Sequence, residues 1–191
     1  MQPKSPIISA SDLYQKINDI NIRIIDTRFS LFNKNEGKAL FDKSHITGAI
    51  YADLDKDLAG NITESSGSHP LPNVNTISGK LRKWGINKLT HVIVYDHNNG
   101  SIASRLWWLL KWLGHEKVSV LDGGFLEWEK SNFPIDNSSS NYETGNFVPV
   151  LKEDKIWTAE LINKWIKQSK KFLLIDARDE NRYRGIEEPI D

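Results

Sequence analysis

The 191-residue chain contains no cysteine. That excludes disulfides, thiolate metal sites, iron–sulfur clusters and every covalent mechanism carried by a protein thiol. Its five histidines, at 45, 69, 91, 97 and 115, show neither His-x3-His nor His-Glu-x-x-His spacing, so no metal site is expected. No cofactor is expected either. A Walker-type phosphate loop is absent, and Gly123-Gly124 is too short for a dinucleotide fingerprint. Asp96 and the residues to Ser101 predict a strand-to-helix turn closed by side-chain capping, although N–H groups at a helix start also attract anions. Asp55 and His69 fall on loops. A carboxylate beside an imidazole makes an acid–base pair possible, while turn capping and a surface histidine are the plainer readings. Arg182 carries a guanidinium, which takes planar oxyanions bidentately, but it sits in a charged segment that also reads as solvated. His45, Asp26 with Arg28, and Asp176 with Arg178 read as structural.

Lys plus Arg and Asp plus Glu both number 25, so the formal charge is zero. Nucleic-acid and membrane-surface partners select for a basic excess, so neither is expected. The N-terminal residues form no apolar signal-peptide region. The longest apolar run, Leu106 to Leu110, is far shorter than the roughly 20 residues of a membrane span. A cytoplasmic protein is expected.

Four β-branched runs read as buried strands: Ile22–Asp26, Ala49–Ala52, His91–Tyr95 and Val118–Leu121. Helical patterns lie between them at 11–19, 75–84, 101–113 and 125–130. Ile102, Leu106, Leu109, Leu110 and Leu113 share one helical face, and Gly85 and Gly114 stop two of the helices. Alternating strands and helices predict an α/β domain with a mostly parallel central sheet flanked by helices, over residues 1–136. Residues 137–150, poor in apolar side chains, read as a linker.

From residue 151 the chain begins again. A helix over 156–167 and a strand over 172–175 lead to Asp176-Ala177-Arg178, as a helix and strand lead to Asp26-Thr27-Arg28. Leu13 to Asp26 spans 13 residues and Leu161 to Asp176 spans 15. The 41 residues of 151–191 are too few to bury a core, so they read as the start of an incomplete second copy. Phe172 to Ile175 then lack the sheet they are patterned to join.

Several stretches together resemble the two-domain rhodanese family of thiosulfate and 3-mercaptopyruvate sulfurtransferases. They are His45-Ile46-Thr47-Gly48-Ala49, Asp53-Leu54-Asp55, His69-Pro70-Leu71-Pro72 and Tyr95-Asp96. Ala103-Ser104-Arg105-Leu106-Trp107-Trp108 and Leu121-Asp122-Gly123-Gly124 with Trp128 continue the series. The second copy adds Asp176-Ala177-Arg178, Arg182-Tyr183-Arg184-Gly185 and Glu188-Pro189-Ile190-Asp191.

The resemblance implies an α/β fold in each copy, a silent first domain, and an active cysteine loop in the second. It implies sulfur transfer from thiosulfate or 3-mercaptopyruvate to cyanide or a thiol. Arg182 matches the arginine that faces the small anionic sulfur donor, and Asp55 and His69 match residues that support proton handling. The departure is large: the nucleophilic cysteine is missing, and Asp96 stands at the matching place in the first copy. This polypeptide is therefore expected to be inactive alone, with a separate chain as one way to complete the second domain. The alternative is a non-catalytic rhodanese-like module that binds a partner.

Overall fold

The computed structural model describes residues 5–64 and 66–189. Residues 190–191 of the last motif lie outside them. The chain divides into two compact units after Leu151. The first runs β1 (Ile7–Ile8), α1 (Ala10–Tyr14), β2 (Ile22–Asp26), α2 (Glu36–Lys43), β3 (His45–Ile46) and β4 (Ile50–Tyr51). It continues with α3 (Val74–Lys83), β5 (His91–Tyr95), α4 (Ala103–Trp112), β6 (Val118–Leu121), α5 (Gly124–Lys130) and β7 (Ile135–Asp136).

Among the described residues a five-stranded sheet has the order β1-β6-β5-β2-β4, parallel at each pairing. A separate antiparallel pair joins β3 to β7. The expected α/β class with a parallel sheet is therefore the observed one. Every residue of β2 is buried, as a strand covered on both faces requires. Asn73 caps α3 by accepting from the N–H groups of Asn75 and Thr76, and Gly85 ends it at φ +71°. Leu13, Ile24, Ile93, Tyr95, Phe125 and Trp128 form the centre of the core. The Trp128 indole donates to the Pro134 carbonyl at 2.9 Å, tying α5 to the approach of β7.

The buried centre also holds charge. The Arg28 Nε donates to both Asp26 oxygens, at 3.2 and 2.9 Å, and its terminal nitrogen lies 2.7 Å from Oδ2. Arg28 further donates to the Ser44 carbonyl at 2.6 Å, and the Tyr95 hydroxyl donates to Asp26 at 2.7 Å. The reading of this pair as structural holds. His45 is structural too: Nδ1 lies 2.7 Å from the Phe41 carbonyl oxygen, and the ring stacks on Phe41 at 3.8 Å.

Residues 137–150 form no helix or strand, yet they lie along the first unit. The Tyr142 hydroxyl donates to Gly48 at 2.6 Å, Gly145 N–H to Arg82 at 2.8 Å and Val150 N–H to Leu113 at 2.9 Å. Phe147 is buried. A Cβ at Gly145 would sit 2.2 Å from the Ile86 carbonyl oxygen, so only glycine allows this approach.

The second unit has a short 3₁₀ turn (Glu153–Lys155), then α6 (Ala159–Lys167) and α7 (Glu180–Tyr183). α6 starts three residues after the expected position, because the extended Thr158 caps it by accepting from Leu161 N–H. The strand expected over 172–175 is not formed. Leu173, Leu174 and Ile175 are 82, 66 and 74 % exposed, and among the described residues no strand pairs with them. An extended apolar run becomes a strand only when a ladder partner takes its N–H and carbonyl groups. The turn that follows repeats the first copy closely. Arg178 Nε donates to the Asp176 oxygens at 3.1 and 2.9 Å, with the terminal nitrogen at 2.7 Å.

Candidate functional site

Parallel strands gather their C-terminal ends on one sheet edge, where α/β folds place their ligands. β5 ends there at Tyr95, and the next residue, Asp96, is only 3 % exposed. One carboxylate oxygen accepts from Gly100 N–H at 3.0 Å. The other accepts from Ile102 and Ala103 N–H, at 3.0 and 3.2 Å. This is the capped strand-to-helix turn that the sequence predicts, and it delays α4 to Ala103. The N–H groups that would hold an external anion are engaged by an internal one. Gly124, at φ +57°, backs the turn so closely that a Cβ would lie 2.6 Å from the Asp96 carbonyl oxygen.

Asp55 and His69 lie on the long connection from β4 to α3, on the same edge, and the structure brings them together. His69 Nε2 lies 3.1 Å from one Asp55 oxygen, and Lys34 Nζ lies 2.9 Å from the other. Phe29, just after β2, meets the His69 ring edge-on at 6.3 Å. Asp53 shapes the turn by accepting from the N–H groups of Asp55 and Lys56, both at 3.0 Å. Arg105, from α4, fixes the other side. Its guanidinium donates to the carbonyls of Leu58, His69 and Pro70, the last two at 3.0 and 2.9 Å. Burial lowers the Arg105 pKa, and these carbonyl dipoles stand in place of a carboxylate.

Sequence reasoning passed over Lys34 and assigned no role to Arg105. Lys34 carries no local signal. Arg105 projects from a helix that otherwise buries leucines, which is the one trace it leaves.

Burial raises the Asp55 pKa, but Lys34 and His69 together outweigh it and hold the carboxyl below its usual value. A depressed folded-state pKa stabilises above the unfolded value of about 4 and is lost as pH falls through the folded one. Asp55→Asn is thus expected to lower the thermal midpoint at neutral pH, by the small amount that a loss of under about 1 kcal/mol of folding stability produces for a part-exposed pair. Melts in strong acid should show no difference. A gap that persists in acid would contradict the charge pairing.

Arg182 belongs to the second unit. Its Nε donates to Glu188 at 2.8 Å, and Asp179 accepts from its backbone N–H at 3.0 Å as the cap of α7. Among the described residues no cluster of three His, Asp or Glu could hold a metal ion. No helix there is long and apolar enough to cross a membrane.

A model of the rhodanese-like domain matches residues 9–131, and the chain belongs to the rhodanese family. It is 33% identical over 187 residues to a probable 3-mercaptopyruvate sulfurtransferase of Pseudomonas aeruginosa, covering 97% of this chain and 66% of that protein. Against the thiosulfate sulfurtransferase of Cricetulus griseus, identity is 32% over 168 residues, covering 87% of this chain and 55% of the relative. Less than two thirds of each relative's length is therefore spanned. Among solved structures, the fold superposes on SseA from Escherichia coli, a protein described with the rhodanese fold of 3-mercaptopyruvate sulfotransferases. The TM-score is 0.82 at 27% identity, covering 94% of this chain and 68% of that one.

Proposed function

We propose that this chain is the non-catalytic rhodanese half of a sulfurtransferase and that, alone, it transfers no sulfur. One observation carries the reading: Asp96 occupies the turn after β5 with its own carboxylate. Sulfane sulfur transfer needs a thiolate that accepts sulfur as a persulfide, and N–H groups at a helix start stabilise such a thiolate. A carboxylate holds no persulfide, and all 191 residues lack cysteine. The acceptor thiol must come from outside these residues, including from a separate chain.

In the complete assembly the donor is a small sulfur-bearing anion, thiosulfate or 3-mercaptopyruvate, taken by Arg182. His69 exchanges a proton, and Asp55, held by Lys34, fixes the imidazole and supports its charge. The family of the relatives and the Asp55–His69 contact support these roles.

The test is direct. The purified chain, given thiosulfate with cyanide, or 3-mercaptopyruvate with a small thiol, is expected to produce no thiocyanate or sulfide above the buffer rate. Saturable turnover by this polypeptide would overturn the proposal.

A further inference from the structure

The opposite edge of the sheet, where the strands begin, holds an open cleft of about 1070 Å³. Its lining includes Ile20, Arg23, Lys88, Leu89, Tyr142 and Glu143. Arg23 projects from β2 and is only 7 % exposed. A guanidinium has five N–H donors and no way to shed its charge. Here its sole hydrogen bond among the described residues is a long one, 3.4 Å to the Gly85 carbonyl. Its Nε is buried without any partner. The Tyr142 ring covers one face at 3.5 Å, which favours the cation but supplies no acceptor.

Arg28, on the same strand's exit, shows how this fold treats a buried guanidinium when it is purely structural: it is paired bidentately with a carboxylate. Arg105, partly buried on α4, is met by several carbonyls. Arg23 has neither arrangement. Burying a cation without a counter-charge is costly, and the cleft is where a counter-charge can enter. Lys88 adds a second, exposed cation to the lining, and Glu143 is the single acid there. Among the described residues no ion pair joins Glu143 to either cation. Exposed Ile20 and Leu89 offer an apolar wall.

We infer that this cleft binds a small molecule bearing a carboxylate or phosphate group, with Arg23 taking the oxyanion, Lys88 supporting it and Ile20 and Leu89 receiving the remainder. Tyr142 pre-orders the guanidinium, so the planar fork is held ready for two oxygens. The site is separate from the Asp55–His69 edge, so its failure and that of the sulfurtransferase reading are independent.

The test uses the whole chain. Nitrogen-15 NMR follows the Arg23 Nε–H and the backbone N–H of Lys88 and Tyr142 during titration with sodium phosphate and, separately, with sodium succinate. Sodium chloride at matched ionic strength is the control. Saturable shifts with at least one of the two anions, and none with chloride, are expected. A response to phosphate alone assigns a phosphate ligand, and to succinate alone a carboxylate. Arg23→Gln should abolish saturation. Lys88→Glu, at an exposed position, should weaken binding roughly tenfold and serves if Arg23→Gln does not fold. Shifts for both anions that merely track chloride would overturn the inference. So would saturation that survives Lys88→Glu unchanged.

Discussion

Asp26→Leu is expected to cost about 3–5 kcal/mol of folding stability, the penalty of leaving one member of a buried ion pair alone. Three groups lose their acceptor at once. The Arg28 guanidinium, 2 % exposed, keeps only the Ser44 carbonyl as a hydrogen-bond partner among the described residues. The Arg28 backbone N–H, 2.8 Å from Asp26, loses its turn contact. The Tyr95 hydroxyl, which also accepts from Ile46 N–H at 3.3 Å, loses the oxygen it donates to. Burial is the largest cause that pushes the Tyr95 pKa far up, and it persists without Asp26, so the phenol stays a donor and cannot adapt by ionising. The Asp26 site therefore couples β2, β3 and β5. Urea unfolding of wild type and variant measures the effect, and a loss under about 1 kcal/mol would contradict it. Adding Arg28→Leu to Asp26→Leu should recover part of the loss, since the stranded charge is then gone. The matching pair in the second unit supplies a control. Asp176 and Arg178 have nearly the same distances but are 30 and 41 % exposed. Hydrogen bonding to Arg178 lowers the Asp176 pKa to about 2. Asp176→Leu should leave the unfolding transition of the first unit where it was.

Asp96→Ala should cost about 2–4 kcal/mol, because three N–H groups at the start of α4 lose their acceptor in a closed turn. Asp96→Asn keeps one oxygen and should fall between. Hydrogen exchange separates this from a general loss: protection at Gly100, Ile102 and Ala103 should drop first. Unchanged stability and protection in Asp96→Ala would show that water or a shifted turn serves equally well, and would remove the carboxylate's claim to the anion position.

Most of the sheet was legible because it is written in long local patterns. β2, β5 and β6 are runs rich in β-branched residues, and their observed limits match the expected ones. β1, β3 and β7 are two residues each, too short to show a period, and exist because a neighbour pairs with them. α2 was missed for a related reason: Asn35 makes no capping hydrogen bond and only Gly37 and Phe41 are buried, so its start carries no signal. Residues 172–175 err the other way, since apolar content reads as strand whether or not a partner stands beside it. Polar composition hid the attachment of 137–150, which rests on Tyr142, Phe147 and Gly145 rather than on a periodic face. In the candidate site, the Asp96 turn follows from local rules. The meeting of Asp55 with His69 spans two loops and is not written in either. Family motifs raised it, and the long-range hold of Arg105 on the loop carbonyls produces it.

The position of β1 also bears on how the chain is made. Among the described residues β1 pairs with β6 alone, Ile7 opposite Val120, so this edge strand waits for a partner made 113 residues later. At ~5–20 residues per second, ribosomes need roughly 6–23 s to cover that distance. β5 is complete only at Tyr95, so its flank stays without β6 for the 25 residues from Tyr95 to Val120, about 1–5 s at the same rate. Translation speed across the α4 codons therefore sets how long the nascent sheet stays open, and a synonymous change that stalls there lengthens the interval in which another chain can pair with it.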